Sequence, residues 1–229
     1  MILESPDGQV LNFWSHRHAP KTPKKLIVRT SGGTDSTALL ALLCHTFKDI
    51  EVQPILLEEK ALIPYQDIVE SILDKIRKMY PSANIRPLDV SYVVNKPDFD
   101  WITYCNEKQI PVIVQGRTCA PPLGSLEEDY PTSHLRQPDN DKWQSCEMDF
   151  YNGTIKRYNP LLYVNKRFIR FLFDSLKLQD VFPLTSSCTR NFAPTDPRYN
   201  NRPVGPCKEC FQCAEKKWAF GVFDHEQYN

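Results

Sequence analysis

The sequence predicts an α/β fold: a parallel sheet with helices on its faces, followed by a C-terminal tail that binds a metal. Three observations predict it. Short apolar runs alternate with amphipathic stretches through the first half of the chain. A glycine-bearing loop, Ser31-Gly32-Gly33-Thr34-Asp35-Ser36, stands between the first such run of the body and its first helix. Four cysteines, Cys188, Cys207, Cys210 and Cys213, fall close together towards the C-terminus.

The elements follow in order. Ser5-Pro6-Asp7-Gly8 is a turn signal between Met1-Ile2-Leu3 and Val10 to Trp14, which suggests a hairpin. A basic linker from His16 to Lys25 contains Pro20 and Pro23. Leu26-Ile27-Val28 is a short apolar run, the pattern of a buried strand. Thr37 to Phe47 is helical, with Leu39, Leu40, Leu42 and Leu43 on overlapping faces. Val52 to Leu57 is a second strand. Tyr65 to Met79 places Ile68, Ile72 and Ile76 on one stripe of an amphipathic helix. Ile85 to Val90 is a third strand, Asp98 to Lys108 a helix and Pro111 to Val114 a fourth strand. Strands alternating with helices in this way argue a parallel sheet. After Gly116 the alternation stops. Arg117 to Thr154 is polar and punctuated by proline, a loop long enough to be functional. Helical character returns from Lys166 to Leu178. The expected organisation is an N-terminal extension over 1–24, an α/β domain over 25–182 containing the 117–154 loop, and a metal-binding segment over 183–229.

Composition excludes several classes. The chain has 229 residues, with 28 Lys+Arg against 28 Asp+Glu, so no global positive field recruits nucleic acid. Hydrophobic residues at 41% and charged ones at 24% describe an ordinary water-soluble globular chain. No apolar run approaches the roughly 18 residues of a membrane span. Met1 to Lys25 lacks the apolar core of a signal peptide. A cytoplasmic protein is therefore expected, with neither membrane nor nucleic acid as partner. In that compartment, clustered cysteines bind metal more often than they pair.

The Ser31–Ser36 loop has the chemistry of a phosphate cradle. Glycines let the backbone approach a ligand, and the helix N-terminus offers unpaired N–H groups. Ser31, Thr34 and Ser36 add hydroxyls. Asp35 repels phosphate unless a cation intervenes, which suits Mg²⁺. The lysine of a Walker A loop is absent. A plain capped turn is the simpler reading, but a strand before and a helix after weigh against it. Leu57, at the end of the second strand, and Gly116, just after the fourth, complete the expected nucleotide site with Ser31, Gly32, Gly33, Thr34, Asp35 and Ser36.

Cys207, Cys210 and Cys213 form a C-x₂-C-x₂-C run with Cys188 upstream. Four thiolates can close a tetrahedral Zn²⁺ site that is structural, with no position left open. A 4Fe–4S cluster uses similar spacing. The chain continues Ala214-Glu215-Lys216 rather than with the fourth cysteine of a ferredoxin run, which favours zinc.

The loop after an opening strand resembles the signature of the PP-loop (N-type) ATP pyrophosphatases. Pro160-Leu161-Leu162, Lys166 at a helix start, Leu184 to Cys188, and Gly205 to Cys213 together resemble the 7-cyano-7-deazaguanine synthase branch of that family. The resemblance implies a Rossmann-like sheet of the adenine-nucleotide alpha hydrolase type with a zinc-bound tail. It implies ATP, Mg²⁺ and Zn²⁺ as cofactors, and a catalytic Lys166 near the ATP phosphates. Asp35, as a holder of Mg²⁺, and Arg117, which follows the fourth strand at the carboxyl edge and could pair with a substrate carboxylate, are the other candidate catalytic residues. It implies a ligase of queuosine biosynthesis that adenylates a 7-deazaguanine carboxylate and, with ammonia, makes an amide or nitrile. Homodimers are common in the family. The chain departs from that branch at Glu58-Glu59-Lys60 and at Arg117 to Pro122. A PP-loop sulfurtransferase, with Cys119 as the candidate thiol, or a nucleotide-binding regulator are the alternatives. Glu58 and Glu59 suit a solvated pair, or a ligand of Mg²⁺ or ribose. His16, His18 and His134 have no metal spacing.

Overall fold

The computed structural model describes residues 1–14, 21–59, 65–93, 99–122, 124–126, 155–188 and 206–228. A two-stranded hairpin opens the chain: β1 (Ile2–Glu4) pairs antiparallel with β2 (Val10–Asn12). The turn between them places Gly8 at φ +81°, as the Pro-Asp-Gly signal predicts.

The body then alternates: β3 (Lys25–Arg29), α1 (Thr34–Thr46), β4 (Glu51–Glu59), α2 (Gln66–Met79), β5 (Asn84–Ile85), β6 (Asp89–Val93), α3 (Trp101–Lys108) and β7 (Val112–Gln115). β3 and β4 are rich in Leu, Ile and Val and buried along most of their length, as inner strands of a two-sided parallel sheet must be. The sheet is six-stranded in the order β5-β4-β3-β7-β8, with β6 also on β4, and every pairing in it is parallel. The fold is therefore α/β on a parallel sheet, as predicted.

Three details differ from the sequence reading. The single strand expected over Ile85 to Val90 is two, because Arg86 to Leu88, with Pro87 inside, interrupts it. β8 (Lys156–Tyr158) extends the sheet beyond β7. Its three residues, Lys-Arg-Tyr, carry no apolar alternation, so the pattern gives no strand there. A further helix, α5 (Phe211–Phe220), follows the cysteines. It ends at Gly221, whose φ of +79° suits a helix terminator.

The helix expected over Lys166 to Leu178 is α4 (Lys166–Ser175), capped by Asn165, whose Oδ1 accepts the Arg167 N–H at 2.9 Å. Most of the 117–154 loop, and His16, His18 and His134, lie outside the described residues. One hydrophobic cluster joins Leu11 and Phe13 of the hairpin, the sheet and α1, and Phe182, Phe220 and Tyr228 of the tail. No described helix is long and apolar enough to cross a membrane.

Candidate nucleotide site and metal centre

A cavity of about 300 Å³ opens at the carboxyl edge of the sheet. Its lining comes from the ends of β3, β4 and β7: Arg29 to Ser31, Leu56 with Leu57, and Gly116. Open parallel sheets bind ligands at this edge, because the loops there diverge onto opposite faces.

The loop after β3 is tightly organised. Ser36 Oγ donates to Gly33 O at 3.1 Å and accepts the Ser31 N–H at 3.2 Å. Thr37 Oγ1 also donates to Gly33 O, at 2.9 Å. Gly32 adopts φ +74°, and a Cβ there would lie 3.1 Å from the Ile68 side chain and against Tyr65 and Val69. Gly116 is needed for another reason: a Cβ there would lie 2.7 Å from Asp35 O. Gly33, the N-cap of α1, offers no side chain to cap the helix, so its first-turn N–H groups can serve an anion.

Of the expected nucleotide-site residues, Ser31, Gly33, Thr34, Asp35, Leu57 and Gly116 line the cavity. Gly32 and Ser36 sit behind the loop and hold its shape.

Lys166 reaches this site from α4. Its Nζ lies 2.5 Å from Asp35 Oδ1, 3.5 Å from Glu215 Oε2 and 3.5 Å from Thr34 Oγ1. Thr118 Oγ1 donates to Asp35 Oδ2 at 3.2 Å. Lys166 and Glu215 are almost fully buried. A buried ammonium is held only by paired charge, so the two carboxylates keep a cation at the cavity wall. Asp35, the expected Mg²⁺ holder, pairs with Lys166 at the cavity wall. Arg117 and Cys119 follow β7 but do not line the cavity; the Cys119 N–H donates to Val164 O at 3.0 Å. Glu58 is buried, and its Oε1 accepts the Gln66 N–H at 3.0 Å. It therefore caps α2, where a solvated pair or ligand was expected.

Sequence reasoning missed Tyr65, Ser186, Ser187 and Gln212, which also line the cavity, and Glu215 behind it. Ser187 and Gln212 adjoin a cysteine of the cluster and Ser186 stands two residues before one, and that proximity is the signal that could have found them.

The cysteine cluster is brought together as expected. The Sγ atoms of Cys188, Cys207, Cys210 and Cys213 all lie within 4.8 Å of one another. The Cys207–Cys213 and Cys188–Cys210 separations are 3.9 Å and 3.8 Å. Hydrogen bonding to Cys188 and Cys210, then burial, push the Cys213 thiol far up. Four thiols this close resist joint ionisation, and a cation at their centre removes that penalty. The donor set fits a bound metal.

The cluster is joined to the cavity by Thr185 to Cys188. The Ser187 and Cys188 N–H groups donate to Asp224 Oδ2 at 2.8 Å and 3.0 Å. Ser186 N–H donates to Gly32 O at 2.8 Å. Lys216 bonds both Asp224 and Thr185 Oγ1. Burial pushes its ammonium down, and Asp224 opposes that shift.

No family model and no curated protein matches the chain. Among solved structures, the chain is similar to a U34-tRNA thiolase, NcsA from Methanococcus maripaludis, with its 4Fe–4S cluster. Identity is 15% and the TM-score 0.45, over 72% of this chain and 61% of that one. The likeness thus spans about three fifths of the thiolase.

Proposed function

We propose that this chain is a PP-loop enzyme that binds Mg·ATP over Ser31–Ser36 and transfers the adenylyl group to an acceptor oxygen. The observation that carries the reading is the meeting of the glycine-bearing loop, Asp35 and Lys166 at the carboxyl edge of a parallel sheet. The α1 N-terminus and loop N–H groups would hold the phosphates. Lys166, released from Asp35, would neutralise charge on the departing pyrophosphate. Asp35 and the loop hydroxyls would hold Mg²⁺, which supplies charge neutralisation on the phosphate oxygens. The acceptor would lie beside the β4 and β7 ends, within about 3–3.5 Å of the α-phosphorus, with Arg117 as candidate partner for its carboxylate.

In the metal centre, a tetrahedron with Zn–S of about 2.3 Å has edges of about 3.8 Å. Two of the six separations, 3.8 Å and 3.9 Å, match that edge, and all four Sγ atoms lie within 4.8 Å of one another, which supports a single zinc ion. A 4Fe–4S cube carries its thiolates on separate irons, which spreads them further apart.

The leading reaction is conversion of a 7-deazaguanine carboxylate, or a related acid, with ammonia to an amide or nitrile. Sulfur transfer is the second reading. The similar solved structure, a tRNA thiolase, stands closer to it than to the ligase, but that likeness is too slight to decide the reaction class. The discriminating experiment supplies ATP and Mg²⁺ with 7-carboxy-7-deazaguanine and ammonia, or with tRNA and sulfide. AMP release coupled to a new nitrile or amide supports the ligase. AMP release coupled only to thiolated RNA moves the assignment to sulfur transfer.

A further inference from the structure

Two hydroxyls at the cavity wall stand unpaired among the described residues. Ser186 is 3% exposed, and neither its Oγ nor that of Ser187 has a hydrogen-bond partner among the described residues. Both residues line the nucleotide cavity. Buried hydroxyls are left unpaired only rarely, because each loses its water without a replacement.

These hydroxyls are also held in place. The backbone N–H groups of Ser186, Ser187 and Cys188 are all engaged, to Gly32 O and to Asp224 Oδ2. The segment therefore has little freedom to turn its side chains elsewhere. Ser187 Oγ lies 3.5 Å, and the Ser186 backbone carbonyl oxygen 3.6 Å, from where a Cβ on Gly33 would stand. The Ser187 hydroxyl thus faces the middle of the phosphate loop, across a position kept free of side chain, and Ser186 lines the same cavity. Lys166 lines the same space.

We propose that the Ser186 and Ser187 hydroxyls are donors to the polyphosphate of the bound nucleotide, forming with Lys166 a subsite that takes pyrophosphate as well. The proposal rests on the nucleotide reading above and extends it to residues carried by the metal-binding tail. Hydroxyls suit phosphate oxygens because they donate to charge without adding charge. Cys188 of the four-cysteine cluster follows directly, so the segment that delivers these donors is anchored at the cluster.

The test is calorimetry on the metal-loaded protein with Mg·pyrophosphate, Mg·α,β-methylene-ATP and adenosine. The Ser186→Ala/Ser187→Ala variant should bind pyrophosphate and the ATP analogue about 10-fold or more weakly. Its affinity for adenosine should stay within about 2-fold of wild type. Unchanged pyrophosphate and analogue affinity, or equal weakening of adenosine, overturns the subsite while leaving the nucleotide reading standing. Failure of the wild-type protein to bind the analogue overturns both. Should the variant misfold, hydrogen exchange on wild-type protein decides: Mg·pyrophosphate should slow exchange over 185–188, and no slowing overturns the proposal.

Discussion

Lys166 holds an ammonium between Asp35 and Glu215, and all three side chains are largely out of water. Removing one charge from such a group strands the others, at a cost of about 3–5 kcal/mol. Lys166→Met should therefore lower the unfolding free energy by that order and abolish ATP turnover. Adding Glu215→Gln should recover part of the stability and none of the turnover. Denaturant unfolding read beside AMP release checks both halves, and recovery of turnover in the double variant would remove Lys166 from the chemistry. At this scale the site was partly legible. Ser31 was readable because a glycine-bearing loop between strand and helix has few other uses for it, Asp35 because it opens the helix that follows, and Gly116 because it follows a strand at the carboxyl edge. Glu58 was not, since a carboxylate at a strand end looks the same whether it meets solvent or caps the next helix. Ser186, Ser187 and Glu215 belong to the site only because the tail folds back onto the phosphate loop, which spacing does not encode.

The elements that carry these residues were legible in proportion to their periodicity. α2 repeats Ile68, Ile72 and Ile76 on one stripe and was placed within a residue. β8 and α5 were missed because three charged and aromatic residues, and a helix interleaved with metal ligands, show no simple apolar period. α5 carries Cys213, Glu215 and Lys216, so one helix meets the cluster, the Lys166 pair and Asp224. Stripping the metal should therefore raise hydrogen exchange in α5 and over 185–188, and weaken Mg·ATP-analogue binding several-fold. Exchange confined to Cys207–Cys213, with unchanged nucleotide affinity, would separate the two sites. A second expectation concerns α1 and α3. Burial pushes Cys44 and Cys105, on these helices, up to about 12. Both folded values lie above the ordinary thiol range, so each group favours the folded state fully below about pH 9. That contribution is lost as pH rises towards 12. Thermal unfolding between pH 8 and 11 should show falling stability, with a shallower fall in Cys44→Ala.

At the scale of the whole molecule, a single hydrophobic cluster draws the hairpin, the sheet and the tail together. Phe173, Phe182, Phe220 and Tyr228 stack edge-on or tilted across the seam between the α/β body and the tail. That packing explains how a cysteine segment far along the chain comes to wall a cavity built by β3, β4 and β7. The parallel sheet was legible from strand–helix alternation, whereas the closure of the tail over the sheet edge was not, because it depends on contacts between residues distant in sequence. The central claim is that this edge splits ATP between its α and β phosphates. Incubating the metal-loaded protein with Mg·ATP and acceptor, and separating the nucleotides, tests it most directly. AMP and pyrophosphate in equal amounts, absent in Lys166→Met, are the predicted products; ADP with inorganic phosphate would contradict the account.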